Sequence, residues 1–195
     1  PGNTTGGMNI NTIVPRTARM RLPLACILAL SSLLALAAQG HEPRLRSVSG
    51  LTEETADLVV RGKIAGGSPL LFDLAAVSSL PARRFTCIDP WDGKEHGFEG
   101  VLLSDLMAAV GIDAAATRIT VLARNKYSIP IKRSDYERYG YILAWKMDGH
   151  LFAAQESTRN RAVFSVAIDF AGNKALDPNI FKHQLVWQAK YITAE

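Results

Sequence analysis

Cysteine is scarce in this chain of 195 residues, which contains only Cys26 and Cys87. Small secreted domains that depend on disulfides carry many closely spaced cysteines, so a disulfide scaffold is excluded. Hydrophobic residues make up 48% of the sequence and charged residues 21%, and this composition excludes a disordered chain. Length and composition together predict one globular domain with a sizeable apolar core.

The sequence also lacks a strong excess of charge of one sign. It has 22 Lys and Arg against 18 Asp and Glu, and Arg16, Arg19 and Arg21 fall within residues 1–40, where there is no acidic residue. The other 155 residues therefore carry 19 basic and 18 acidic side chains. Because a nucleic-acid-binding protein concentrates basic residues on one face, we predict that nucleic acid is not a partner.

Several motifs of known chemistry are missing from the sequence. It has no glycine-rich phosphate loop, no Gly-x-Ser-x-Gly elbow and no Cys-x-x-Cys pair. These absences argue against nucleotide binding, serine hydrolysis and thioredoxin-like exchange. The four histidines are spaced singly, which is not the pattern of a zinc site.

Residues 1–40 are predicted to be a leader with a secretory signal peptide. After Met20 and Arg21 the chain is almost wholly apolar from Leu22 to Ala38, and this run is shorter than the ~20 residues that a membrane-spanning helix needs. Small residues before His41 fit a cleavage site there. Since the leader has no adjacent Arg-Arg pair, we expect export in the unfolded state, a periplasmic or secreted location and no membrane span after cleavage.

Hydrophobic periodicity predicts the organisation of the mature chain. Residues 41–56 form a polar arm, and residues 57–195 form a single α+β domain of mixed sheets with a few short helices. Asp148-Gly149 is the two-residue signal of a tight hairpin, and Ser134 to Glu137 has the pattern of a capping box. Strands are expected at residues 57–64, 84–88, 117–123, 141–147, 162–170 and 184–193, and helices at residues 74–80 and 101–110.

One stretch has a more specific order of residues. A strand that ends near Cys87 is followed by Trp91 in a turn-rich loop, and then by Gly97-Phe-Glu-Gly-Val-Leu-Leu-Ser-Asp-Leu106 at the predicted start of a helix. Here the sequence resembles the molybdopterin-dependent oxidoreductases of the sulfite oxidase fold, and most of all their small, single-domain exported members. The resemblance covers Asp57 to the C-terminus. It continues through Tyr127-Ser-Ile-Pro130, the Leu-Ala and Asp-Gly pairs of residues 141–149, and Val186-Trp-Gln-Ala-Lys-Tyr-Ile192.

This resemblance implies a sulfite-oxidase-like molybdopterin-binding fold and roles for individual residues. It implies that Cys87 supplies the thiolate that ligates molybdenum, a soft ligand suited to a redox-active metal. Trp91 and Tyr127 would wall the pocket, with Tyr127 beside the reacting centre. Arg159 and Arg161 would meet the pterin phosphate or an anionic substrate. The residues alone favour Cys87 as a small buried hydrophobe on a strand, and the resemblance makes the two interpretations about equal.

Two functions of different class follow from these observations. In the first, an exported oxidoreductase transfers an oxygen atom to or from a small anionic or sulfur-containing compound at a Cys87-ligated molybdenum centre, and exchanges electrons with a periplasmic redox partner. In the second, a cofactor-free, divergent member binds a ligand or a signalling partner in the same pocket. Residues 158–168 lack the glycine and prolines that line the pterin in the family. Unfolded export would also leave behind a cofactor assembled in the cytoplasm, so both features favour the second function.

Overall fold

The computed structural model describes residues 2–3, 45–154 and 163–195. Nearly all of the predicted leader, and both Arg159 and Arg161, lie outside the described residues. The described chain forms ten strands, four short α-helices and two 3-10 turns. The strands are β1 (Leu58–Gly62), β2 (Leu70–Phe72), β3 (Ala82–Ile88), β4 (Glu95–Leu102), β5 (Arg118–Ala123), β6 (Ser128–Lys132), β7 (Ile142–Met147), β8 (His150–Leu151), β9 (Phe164–Ala167) and β10 (Val186–Ala194). The helices are α1 (Leu74–Ser78), α2 (Leu103–Ala109), α3 (Arg133–Tyr139) and α4 (Pro178–Phe181), and the 3-10 turns are Phe152–Ala154 and Lys182–Gln184.

The described strands pair into one mixed sheet. Its main path runs β2-β1-β10-β9-β7-β4-β3, while β5 pairs with β10, β6 with β5 and β8 with β7. The pair β1 and β10 is parallel, and the other pairs in the described residues are antiparallel. This sheet contains the strands predicted at residues 57–64, 84–88 and 184–193, which confirms the predicted α+β class.

The helix α2 packs on the sheet through one apolar face. Leu103, Leu106 and Met107 are fully buried in the main core, because residues three and four positions apart lie on the same side of a helix. Burial of each such side chain contributes roughly 1.5–3 kcal/mol. Gly111, with a φ of 70°, follows the end of the helix, as its position in the sequence predicts. Within the described residues no helix is long and apolar enough to cross a membrane.

The strand β4 corrects one prediction. Val101 and Leu102 were predicted to begin the helix, and residues 97–100 to lead into it, but all six residues belong to the sheet. β4 pairs with β3 in unbroken register from Val101 to Glu95, and with β7 on its other side. A Cβ atom on Gly100 would lie 2.3 Å from the carbonyl oxygen of Leu143 on β7. Glycine at this position therefore allows a close approach of two strands, and pairing on both sides outweighs the local helical pattern.

Two other elements differ from their predictions at their ends. The side chain of Ser134 does not cap α3, since Lys132 is the N-cap residue and the Ser134 hydroxyl lies 3.3 Å from the Asp135 carboxylate. The predicted capping box is therefore wrong. The strand predicted at residues 162–170 is also shorter, because β9 spans four residues.

The described part of the polar arm, residues 45–56, lies along the domain. The backbone N–H of Leu45 donates to the carbonyl of Ala109 at 3.0 Å, and that of Val48 donates to the carbonyl of Leu71 at 2.8 Å. The Leu45 side chain is partly buried and packs on the main core. Backbone hydrogen bonds to α2 and β2 therefore hold the arm in place.

Candidate functional site

Cys87 lies in a small apolar cluster that is separate from the main core. The cluster consists of Cys87, Phe98, Ile142, Ala144, Phe152 and Ala167. Their sequence neighbours Leu143 and Val166 belong to the main core instead. Because successive side chains of a strand point to opposite faces, this second cluster covers the other face of the sheet.

The thiol of Cys87 is buried and hydrogen-bonded. The residue is 4% exposed, and its Sγ atom donates to the carbonyl oxygen of Ile168 at 3.5 Å. Burial raises the pKa of this thiol to about 11, since an apolar environment disfavours the thiolate. Cys87 is therefore a neutral thiol over the physiological pH range.

A narrow apolar cleft opens beside Cys87. The free volume inside it is about 10 Å³, which is room for about one water molecule. The lining is mostly apolar, with Asp89 and Ser165 as polar members. Other lining residues include Pro90, Met147, Phe152, Ile168 and Trp187.

Two exposed tryptophans lie at or next to the lining of this cleft. Trp187 lines the cleft and is 44% exposed, and Trp91, which follows the lining residue Pro90, is 51% exposed. The Trp91 backbone N–H donates to the buried carboxylate of Asp89 at 2.7 Å. The ammonium of Lys182 lies 5.5 Å from the centre of the Trp91 ring, within the range of a cation–π interaction. The mouth thus combines an aromatic surface with a positive charge.

Tyr127 lies near this mouth but does not line the cleft. Its hydroxyl donates to the carbonyl oxygen of His183, and the His183 ring packs edge-on against Trp91 with ring centres 5.8 Å apart. His183 therefore joins two of the residues that the resemblance singled out. Cys87 sits in the cleft, Trp91 and Tyr127 meet at His183, and Arg159 and Arg161 lie outside the described residues.

A histidine between two carboxylates joins two loops that adjoin lining residues of the cleft. His96 Nδ1 lies 2.7 Å from Asp148 Oδ2, and His96 Nε2 lies 3.0 Å from Asp92 Oδ2. Hydrogen bonds to Asp148 and Asp92 raise the pKa of His96, because they favour the imidazolium. The same bonds lower the pKa of both carboxyl groups. Asp92 belongs to the loop that carries Pro90, and Asp148 follows the lining residue Met147.

The molybdopterin that the resemblance implies does not fit the described residues of this site. Cys87 is 4% exposed and its sulfur is hydrogen-bonded to the carbonyl of Ile168, so little open space is left for a metal ion at the sulfur. A cleft of about 10 Å³ is also far too small for the pterin. In the part of the chain that the structure describes, no three His, Cys, Asp or Glu residues are grouped to hold a metal ion.

The sequence did not indicate that Trp187, Lys182 and His183 belong to this site. It also did not indicate the two hydrogen bonds of His96 to carboxylates. A single exposed tryptophan in a strand and a single histidine in a turn-rich region carry no local signal. His96 and Asp148 are 52 positions apart. The predicted Asp148-Gly149 turn was the one sequence signal for this contact, since it places a carboxylate at the end of a hairpin.

Comparison with known proteins supports the fold but not an activity. No protein-family model matches this sequence, and no curated protein matches it. Among solved structures the chain is similar to the sulfane dehydrogenase SoxCD from Paracoccus pantotrophus, with a TM-score of 0.53 and 13% sequence identity over 74% of this chain. The match covers 39% of the SoxCD chain. At this identity the likeness shows the fold alone, and that fold is of the sulfite oxidase type, as the resemblance implied.

Proposed function

We propose that this protein is an exported, cofactor-free binding module that uses a sulfite-oxidase-type fold to hold a small ligand at the Cys87 cleft. The observation that carries the proposal is the cleft itself, an apolar channel with a neutral thiol at its side and exposed tryptophans at its mouth. Apolar walls with a few polar groups are typical of small-molecule sites. An enzyme that used the thiol as a metal ligand would need more open space beside the sulfur than this cleft provides.

The ligand combines an apolar body with one anionic group. The free space beside Cys87 accepts only a group of about the size of a methyl or a water. The rest of the ligand must therefore lie on the rings of Trp91 and Trp187, which offer exposed aromatic surface. The ammonium of Lys182 over Trp91 supplies the charge that attracts an anion. Small sulfonates have this chemistry, and so do other sulfur-containing anions.

Tryptophan fluorescence of the mature protein tests this proposal. Titration with benzenesulfonate should quench the emission saturably, because both rim tryptophans report on the site. The variants Trp187→Ala and Lys182→Ala should each weaken binding about tenfold, since each loses one contact of more than about 1 kcal/mol. Ile180→Ala is the matched control, because Ile180 is exposed and lies outside the lining of the cleft. Benzyl alcohol, which has no anionic group, should bind more weakly than benzenesulfonate.

Oxygen-atom transfer at molybdenum is the competing function. The structural likeness to a sulfane dehydrogenase favours it, whereas the environment of Cys87 opposes it. Metal analysis of protein purified from its native compartment separates the two. One molybdenum per chain, lost in Cys87→Ala, would refute the cofactor-free module, and so would the absence of saturable quenching in the wild type.

A further inference from the structure

A second, basic cleft lies away from the Cys87 cleft, where the end of β5 meets β10. Its volume is about 440 Å³. None of its lining residues lines the Cys87 cleft. It is lined by Glu54, Leu122, Ala123, Arg124, Lys126, Lys190 and Tyr191. Three of these side chains are cations and one is a carboxylate.

A buried lysine beside a β-bulge lines this cleft. Ala189 pairs with Ala123 of β5 and Tyr191 pairs with Leu122, so Lys190 is an extra residue without a partner in the β5 ladder. As a result Ala189 and Lys190 are both buried, although they are consecutive. Bulges redirect side chains and are frequent next to functional sites. Lys190 is buried in phase with Ile192 and Ala194, so the strand places a charged side chain on its buried side.

Lys190 keeps donor capacity toward the cleft. The residue is 4% exposed, and its ammonium donates to the carbonyls of Glu54 and Ala56. A lysine ammonium has three N–H donors, so these two bonds leave one donor over. Among the described residues, Lys190 forms no ion pair with a carboxylate.

Charges of both signs surround Lys190. Burial lowers the pKa of Lys190, and the nearby charge of Arg124 lowers it further, while Asp57 and Glu53 act in the opposite direction. Arg124 and Lys126 are exposed, and within the described part of the chain neither forms an ion pair. Three cations and one carboxylate line the cleft, and this excess of positive charge favours an anion there.

We propose that this basic cleft binds a tetrahedral oxyanion, a phosphate or sulfate that is free or part of an ester, between Lys190, Arg124 and Lys126. Lys190 offers its remaining N–H from below. Arg124 and Lys126 sit on the turn between β5 and β6 and close over the anion from the side. Charge-assisted hydrogen bonds of this kind are the stronger class of polar contact. The Glu54 carboxylate at the rim opposes the anion and limits the affinity.

Calorimetric titration at constant ionic strength tests this site, with inorganic phosphate, inorganic sulfate and phenyl phosphate as separate probes. Arg124→Ala and Lys126→Ala should each weaken binding about tenfold, because each removes one charge-assisted contact. Glu54→Gln should tighten it, since the repelling charge is lost. Lys132→Ala is the matched control, because Lys132 is an exposed lysine at the end of β6 outside the cleft.

The outcomes of this titration are distinct. Saturable binding with the stated order of variants supports the site, and tighter binding of phenyl phosphate than of inorganic phosphate identifies an ester as the ligand. Absence of saturable binding in the wild type overturns the proposal. An equal loss of affinity in Lys132→Ala overturns it too, because that result reports unspecific attraction to a basic surface. Neither result depends on the Cys87 cleft.

Discussion

The Nδ1 atom of His96 lies 2.7 Å from the Oδ2 atom of Asp148, although the two residues are 52 positions apart. The other oxygen of Asp148 accepts the backbone N–H of Gly97 at 2.8 Å. Asp148 lies in the turn between β7 and β8, and these two bonds attach that turn to β4. Together with Asp92 on the other ring nitrogen, this bond ties two loops beside the Cys87 cleft to one imidazole.

We expect the stability of the protein to fall as the pH rises through the pKa of His96. The pKa of His96 is raised in the folded state. The protonated ring therefore stabilises the fold fully at pH values below its pKa in the unfolded chain, about 6.5. This contribution is lost as the pH rises through its pKa in the folded protein. The pKa values of Asp92 and Asp148 are lowered, so their contribution is lost only in acid. Urea unfolding of the wild type and His96→Gln should show a larger difference at pH 5.5 than at pH 8.5.

An NMR titration of the His96 ring gives a direct check on this prediction. The midpoint should lie above 6.5, and Asp148→Asn and Asp92→Asn should each lower it. An equal stability difference at both pH values would contradict the prediction. So would an NMR midpoint at or below the ordinary value.

Cys87→Ala should cost stability without exposing a reactive group. The side chain is buried in the second apolar cluster, so its truncation should lower the free energy of unfolding by about 1 kcal/mol or more through lost packing. Because the native thiol is neutral and buried, it should react with iodoacetamide only at the rate at which the protein opens. Urea unfolding and mass spectrometry after alkylation measure the two effects. Rapid alkylation of the native protein would contradict the structure.

Gly100→Ala should destabilise the sheet strongly. The new Cβ atom would lie 2.3 Å from the carbonyl oxygen of Leu143 and 2.5 Å from the Cα atom of Ala144. Two backbones would have to separate, which costs at least about 1–3 kcal/mol. Gly97→Ala on the same strand is the matched control, because its Cβ atom would meet nothing closer than 3.8 Å. Thermal unfolding of both variants tests this, and equal melting temperatures would show that β4 and β7 are not this close.

If residues 1–40 carry a cleaved signal peptide, the mature chain should begin near His41. The apolar run from Leu22 to Ala38 and the small residues after it are the physical basis. Intact-mass analysis and N-terminal sequencing of the exported protein should both place the first residue there. A product that still begins at Met8 or Met20 would refute the signal peptide.

Much of the fold was predictable from local patterns. The β-branched, alternating residues of β1 and β10 predict strands, and the spacing of Leu103, Leu106 and Met107 predicts a helix. The pair Asp148 and Gly149 predicts a tight turn, and both residues have positive φ angles of 52° and 80°. In each case the residues that decide the structure are close neighbours in the chain, so periodicity alone reveals them.

The candidate sites depended on contacts that no local pattern contains. Cys87 was predicted as the chemical centre, but its neutral state follows from Ile168 and the apolar residues around it. The sequence pattern puts Lys190 on the polar side of an alternating strand, whereas the structure buries it in phase with Ile192 and Ala194.

The sequence by itself therefore determined the fold class, the core strands, the helix α2 and the hairpin at residues 148–149. Tertiary structure alone decided that residues 97–102 extend a strand, since that strand gains hydrogen bonds from β3 and β7 on both sides. It also decided the direction in which the pKa values of Cys87, His96 and Lys190 shift. A pKa reflects burial and the partners of a group, and those partners come from distant parts of the chain.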